Sequence, residues 1–449
     1  MKLTQELAVY FQQRFHSEYP LFLEAFSEPA PTSIRLNPTK SDSSEEVDSV
    51  PWAEHGHYLA KRPSFTLDPR FHAGAYYVQE ASSMFLEEVC KQVLPLDNDL
   101  NVLDLCAAPG GKSTHLLSLL SQESLLVANE VIRSRANILV ENIAKWGRHN
   151  AIVSNNDPRD FQLLEGFFDV ILVDAPCSGE GMFRKDPKAM REWSPSHVQL
   201  CVDRQRRILM DVWAALKPGG HLIYSTCTYN PKENEENLAW FLTQVEATTL
   251  DLSLPAAWGV QDIRYQNIHG YGLYPHRLKG EGLFMSVLRK EEGKAWHPPK
   301  RKKGQPYFDK PHKDVIQQVA HWLKRPEELH MIQINDQLTA LSAPAVRKME
   351  SLYRYLRVRY GGVALAEVKR KDIRPAHALA LYTGLEQESL SVHEVEREEA
   401  LTFLRKKPWP LALPKGWHLI SYQSLGLGWV KGVPGRINNY YPQHWRIRM

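Results

Sequence analysis

Between residues 72 and 290, short unbroken apolar runs alternate with amphipathic stretches. NVLDL precedes KSTHLLSLL, LLVANE precedes SRANILVENIAKW, AIVSNND leads into a short loop, and RQRRILMDVWAAL separates FDVILVDAP from HLIYSTCTY. Apolar runs without alternation predict strands buried on both faces, and the 3.6-residue period between them predicts the helices that cover those faces. The expected class is α/β with a doubly wound parallel sheet.

The flanks read differently. Leu3, Leu7, Tyr10, Phe11 and Phe15 share one helical face within residues 3 to 27, and Pro20 interrupts it. SIRLNP, the acidic SDSSEEVDSV and PWAEHGHYL complete a small α+β domain over 1–71, ahead of the 72–290 core. Residues 291–313 predict a basic linker, since 294–313 hold seven Lys or Arg against one Asp and include four prolines. A first C-terminal domain of mixed type is expected over 314–382. A β-rich module over 383–449 follows from GWHLISY, GLGWVKG and GRINNYYP.

Composition narrows this picture without redirecting it. A length of 449 residues allows roughly three domains, and 43% hydrophobic with 24% charged residues is ordinary globular usage. There is no run of 18 apolar residues, and MKLTQELAVYFQQRF lacks the apolar core of a signal peptide, so a cytoplasmic protein without a membrane partner is expected. Cys90, Cys106, Cys177, Cys201 and Cys227 form no CxxC pair and no zinc spacing, which predicts reduced thiols and no metal.

Parallel α/β sheets bind ligands beyond the carboxyl ends of their strands. The first such end is VLDLCAAPGGKSTH, where Gly110 and Gly111 permit close backbone approach to a ligand at a helix N-terminus. It is neither GxGxxG nor GxxxxGK, and by itself a glycine turn is weak evidence. Glu130 stands 19 residues after Gly111, the offset of an acid that accepts ribose hydroxyls. Asp157 and Asp174 close the next two strands. Each acid alone is more often a helix cap or a solvated turn residue than a ligand. Together the polar closures favour a nucleoside cofactor.

Cys177 in DAPCSGEGMF and Cys227 in YSTCTY follow two strands of the same orientation, which places both thiols at the cofactor crevice. Cys90 and Cys201 read as small buried hydrophobes. A thiolate is needed to make carbon 5 of cytosine nucleophilic: its addition to carbon 6 generates an enamine-like carbon 5 that can accept a methyl group.

CAAPGGK (106–112), DAPCSG (174–179) and STCTYNPKENE (225–235), with YYVQEASSM (76–84) ahead of them, resemble the motifs of the Sun (Fmu) family of RNA cytosine-5 methyltransferases. GLGWVKGVPGRINNYYP resembles the PUA-like module of the bacterial small-subunit ribosomal RNA methyltransferase F type. The resemblance implies a Rossmann-like core dependent on S-adenosyl-L-methionine, with a small N-terminal α+β domain and C-terminal α+β and PUA-like modules. It implies that Cys227 is the nucleophile and that Cys177 assists product release, a choice that spacing leaves open. It further implies cofactor contacts from Cys106, Ala107, Ala108, Pro109, Gly110, Gly111, Lys112, Glu130, Asp157 and Asp174, with Glu130 on the ribose and Asp157 near the adenine. Lys112 and Asp174 are expected to reach the cytosine as well. The implied substrate is ribosomal RNA, free or in the small subunit. Transfer RNA, or a non-catalytic role in ribosome assembly, stays open as an alternative.

Candidate RNA contacts are Arg35 and Asn37, the 294–313 arm, LYRYLRVRY and NNYYPQHWRIR; Arg184, Lys185 and Lys188 are candidates for lowering a thiol pKa. The net charge of +3 hides an asymmetry, because 294–313, 345–359 and 430–449 carry +6, +4 and +4 and leave −11 elsewhere. Basic C-terminal units on an acidic remainder fit modules that hold RNA for a catalytic core.

Overall fold

The computed structural model describes residues 3–41, 48–298, 308–369 and 372–449. Residues 299–307 of the basic arm lie outside the described residues. At its near end, Trp296 packs edge-on against Phe167 at 5.1 Å, so the arm leaves from the surface of the core.

The leading segment forms helices Gln5–Phe15 and Tyr19–Ser27, and Pro20 sits in the first turn of the second, where no intrahelical N–H is needed. Leu7, Phe11, Phe15, Phe22 and Phe26 bury their rings and side chains against Phe183, Trp193, Tyr229 and Tyr274. The amphipathic face therefore caps the 177–183 and 227–229 loops. Strands β1 (Thr32–Leu36), β2 (Gly56–Leu59) and β3 (Tyr76–Val78) form an antiparallel sheet in the order β2-β1-β3. This sheet runs across the expected boundary at residue 71, because β3 finds its partner in β1.

The central sheet contains β4 (Asn101–Asp104), β5 (Leu125–Asn129), β6 (Ala151–Ser154), β7 (Phe168–Asp174), β8 (Leu216–Thr226), β9 (Ala247–Thr249), β10 (Gln261–Tyr265), β11 (Ile268–Leu273) and β12 (Leu283–Lys290). Its parallel part runs β6-β5-β4-β7-β8, with β12, β11 and β10 added antiparallel beyond β8. Chain direction around the sheet reverses between β4 and β7, which makes their carboxyl ends the switch point. The strands are apolar on both faces because both are covered: Leu116, Leu139 and Ile143 lie on one side, and Ile208, Leu209, Val212, Met349 and Leu352 on the other.

Part of the region expected as a separate C-terminal domain joins this sheet. Strand β15 (Val358–Gly361) pairs antiparallel with β6 and closes its edge, and helix Ala343–Tyr355 packs beneath. β15 thereby gives β6 backbone partners on that side and takes the edge position itself. Strands β13 (His330–Ile334), β14 (Gln337–Leu341), β16 (Val363–Lys369) and β17 (Asp372–Pro375) make a third sheet; β18 (Val392–Glu394), β19 (Gly416–Tyr422), β20 (Leu425–Val433) and β21 (Arg436–Asn439) make a fourth. Among the described residues no helix is long and apolar enough to cross a membrane.

Candidate active site

The turn after β4 carries the first group of expected contacts. Gly110 has φ +116°, a conformation that favours glycine, and a Cβ there would come within 3.2 Å of Leu139. Helix Gly111–Leu119 begins at once, and its first turn places Lys112 inward. The Ala107 N–H donates to the Asn129 carbonyl at 2.8 Å, Arg135 donates to the Ala108 carbonyl at 2.7 Å, and Asn142 donates to the Pro109 carbonyl at 2.8 Å. These bonds fix the loop backbone from β5 and the helix after it. Cys106 is half-buried, and burial pushes its thiol well above the usual range.

Four carboxylates stand at or just past the carboxyl ends of β4, β5, β6 and β7. Asp104, at the end of β4, is fully buried; Ser113 Oγ donates to its Oδ2 at 2.6 Å, and its Oδ1 has no partner among the described residues. Burial raises its pKa to about 7. Glu130, just past β5, accepts from the Ile132 N–H at 2.8 Å and pairs with Arg135 at 3.1 Å. Asp157 caps the 3-10 turn Pro158–Leu164 by accepting from the Arg159 N–H, so its capping reading is realised. Asp174, at the end of β7, accepts from Ser225 Oγ at 2.7 Å and pairs with Lys112 Nζ at 2.8 Å. Carboxylates at four neighbouring strand ends, one with an unpartnered buried oxygen, suit a cationic ligand that also brings hydroxyl donors. The sulfonium nucleoside implied by the sequence motifs has that chemistry.

The two thiols meet at the same strand ends. Cys177 Sγ lies 2.9 Å from Cys227 Sγ, and the Cys227 N–H points at Cys177 Sγ from 3.3 Å. Hydrogen bonding with Cys227, and burial after it, push the Cys177 thiol well above the usual range. Burial works against the Lys112 cation, but Asp174, Asp104 and Cys227 outweigh it and raise its pKa. Arg184, a candidate for lowering a thiol pKa, is committed elsewhere: its guanidinium is tied to Glu281 and to the Ala25 and Gly280 carbonyls, and Lys185 faces the same carboxylate.

Two further expectations are corrected. Arg35 and Asn37 are buried and do not face RNA: Arg35 donates to Gln79, Ser118 and Thr114 and lies over Trp146, and Asn37 donates to the Gly74 and Trp146 carbonyls. They join the leading domain to the core. In LYRYLRVRY, Arg354, Arg357 and Arg359 are exposed, whereas Tyr353, Tyr355 and Tyr360 pack on the apolar core. In NNYYPQHWRIR, Tyr441 is buried and Tyr440 is exposed. Cys90 and Cys201 are buried, as small hydrophobes are.

Several site residues were missed by the sequence reading. Asn129 receives Ser154 Oγ at 2.8 Å and donates to the Leu105 and Asn156 carbonyls, so it stitches three strand ends together. Glu180 is fully buried and accepts from Tyr10, Trp193, Asn230 and the Tyr229 N–H. Asp104 and Asn129 close apolar strands, which was the available signal; Glu180 had none.

Residues 91–289 match the model of the 16S rRNA methyltransferase RsmB/F family, residues 3–81 that of the N-terminal domain of 16S rRNA methyltransferase RsmF, and residues 390–447 that of the methyltransferase RsmF PUA domain. A ribosomal RNA small subunit methyltransferase F of Cronobacter sakazakii is 32% identical over 94% of this chain and 91% of its own. The protein of that name from Shewanella piezotolerans is 31% identical over 94% of this chain and 92% of its own. Among solved structures, a methyltransferase homolog protein from Pyrococcus horikoshii is 28% identical with a TM-score of 0.54, over 64% of this chain and 95% of its own. NSun6 from Pyrococcus horikoshii shares the fold at 21% identity and a TM-score of 0.54, over 65% of this chain and 99% of its own.

Proposed function

The chain belongs to the ribosomal RNA small subunit methyltransferase F family, and on that premise we propose that it methylates carbon 5 of a cytosine in 16S ribosomal RNA. The observation that carries this reading is the meeting of Cys177 and Cys227, 2.9 Å apart, at the sheet end that also bears Lys112 and Asp174. When bound, S-adenosyl-L-methionine supplies an electrophilic methyl group. Asp104, Glu130, Asp157, Asp174 and the 106–112 turn would hold it, with Lys112 between the cofactor side and the thiols.

In this reading the Cys227 sulfur bonds to carbon 6 of the cytosine, and the electron pair of the 5,6 double bond moves to carbon 5. Carbon 5 takes the methyl group, a base removes its proton, and the sulfur–carbon 6 bond breaks to restore the double bond. Cys177, held as a thiol, assists release. Flanking units 1–71, 314–382 and 383–449 would hold RNA around the 72–290 core, with β3 and β15 shared across those boundaries. Exposed Arg354, Arg357 and Arg359 beside the edge strand suit phosphate contacts. A base must leave its helix to reach a thiol, and such a grip stabilises the extruded nucleotide.

The test is incubation of the full chain with labelled S-adenosyl-L-methionine and either free 16S RNA or small subunits, followed by mapping of 5-methylcytosine. Cys227→Ala should abolish the label. Methylation retained in that variant would remove Cys227 as the nucleophile, and label on transfer RNA alone would reassign the substrate.

A further inference from the structure

Each cysteine of the pair sits in a loop, and loops need external fixing to hold reactive atoms at a set separation. The fixing comes from two adjacent residues, Glu233 and Asn234. Glu233 Oε2 accepts from the Ser178 N–H at 2.9 Å and from Gln205 Nε2 at 2.9 Å, and Gln205 Nε2 also donates to the Pro176 carbonyl at 3.1 Å. Ser178 Oγ donates to the other carboxylate oxygen. The residues on both sides of Cys177 are therefore tied to Glu233. Asn234 Oδ1 accepts from Thr226 Oγ1 at 2.6 Å, and its Nδ2 donates to the Thr228 carbonyl at 3.0 Å. These are the residues on both sides of Cys227. A bond of 2.9 Å between Ser178 Oγ and Thr228 Oγ1 joins the two loops directly.

Both side chains are buried, at 0% and 1% exposure, and Tyr224 OH anchors the Glu233 carbonyl at 2.7 Å. Asn234 is also the N-cap of helix Glu235–Leu242, yet its side chain makes no capping bond. A capping asparagine ordinarily accepts from an N–H of the first helical turn. Here its amide is spent on the thiol loop instead. The Ser178 N–H, the Ser178 hydroxyl and Gln205 Nε2 all donate to the Glu233 carboxylate, whose oxygens offer acceptor sites only.

We infer that Glu233 and Asn234 are positioning residues: a two-residue clamp, rooted in the start of one helix, that sets the separation of the Cys177 and Cys227 sulfurs. The clamp's catalytic meaning rests on the two-thiol reading above, but its geometry is testable apart from that reading.

The experiment uses the full chain and two readouts. In the first, diamide oxidises the pair: both thiols lose their protons, an S–S bond forms, and the diazene takes up two electrons and two protons to become a hydrazine. The Cys177–Cys227 disulfide is then timed by peptide mass spectrometry. Asn234→Ala and Glu233→Ala should slow it about tenfold, because disulfide bonding demands a narrow Cβ separation. In the second, kcat on 16S RNA should fall about a hundredfold in the same variants with KM little changed, the scale of a misplacement of about 1 Å. Glu233→Gln, which keeps an acceptor for Ser178 and Gln205, should recover most of both rates. Asn234→Asp keeps volume and the Thr226 acceptor but loses the Thr228 bond, so it reports on the clamp even if the alanine variants fail to fold. A wild-type disulfide rate in Asn234→Asp overturns the inference, as does a raised KM with unchanged kcat. Absence of methylation by the wild type would overturn the proposed activity, while the oxidation rates would still decide the clamp.

Discussion

Lys112 Nζ lies 2.8 Å from Asp174 Oδ2 and joins the first turn of the helix after β4 to the end of β7. The pair spans the switch point of the sheet. Replacing Lys112 by Ala removes this buried cation, the donor proposed to stabilise charge as it develops on the cytosine. Turnover should drop about 10²-fold or more, the scale of losing one preorganised electrostatic group, while S-adenosyl-L-methionine affinity by calorimetry stays mostly intact. Unchanged turnover would sink this role.

Removal of Cys177 should have a different consequence from removal of Cys227. If Cys177 assists release, Cys177→Ala should accumulate a covalent RNA–protein adduct, seen as a retarded band on a denaturing gel that ribonuclease removes. The double variant with Cys227→Ala should show none. An equal adduct yield from wild type and Cys177→Ala would refute the division of labour.

Glu180 makes stability depend on pH in a defined sense. Burial raises its pKa from 4.5 to about 7. Between those values the folded chain keeps a proton that the unfolded chain gives up, so unfolding releases a proton and stability falls as pH rises toward 7. The shift corresponds to a loss on the order of 3 kcal/mol. Glu180→Gln should flatten that decline in urea melts between pH 5 and 8; parallel curves for the two proteins would show that Glu180 does not titrate in this range.

Arg35 and the arginines beside β15 should separate cleanly in experiment. Arg35→Ala breaks buried bonds to Gln79, Ser118 and Thr114, and should cost on the order of 3 kcal/mol with no change in the salt dependence of RNA binding. Arg357→Gln with Arg359→Gln should leave the melting temperature nearly unchanged. It should also weaken RNA binding and reduce the slope of log affinity against log salt by about two. The reverse pattern would return Arg35 to the RNA surface.

How far the site was legible follows from what a linear pattern contains. Apolar runs closed by Asp174 and by the AAPGGK turn were readable, because a strand buried on both faces shows its end in the first polar residue. The pairing of Cys177 with Cys227 was readable as a shared sheet end, but not as a 2.9 Å contact. Arg35 was misread because a lone charge in SIRLNP looks solvated until the groups around it are known. Its partners Gln79, Thr114 and Ser118 come from distant parts of the chain. Glu233 and Asn234 stood in plain view within STCTYNPKENE, yet their bonds to Ser178 and Thr226 depend on how two loops fold back upon a helix start.

The sequence by itself determined the α/β class, the strand ends that bear the candidate site and the family motifs, since these depend on periodicity and on residue type at fixed local offsets. Tertiary structure alone decided that β15 extends the core sheet, that Lys112 pairs with Asp174 while Arg184 pairs with Glu281, and that one dipeptide grips both thiol loops. Those are relations between residues far apart in the chain. Their energies come from burial and hydrogen-bond geometry, which exist only once the chain has closed upon itself.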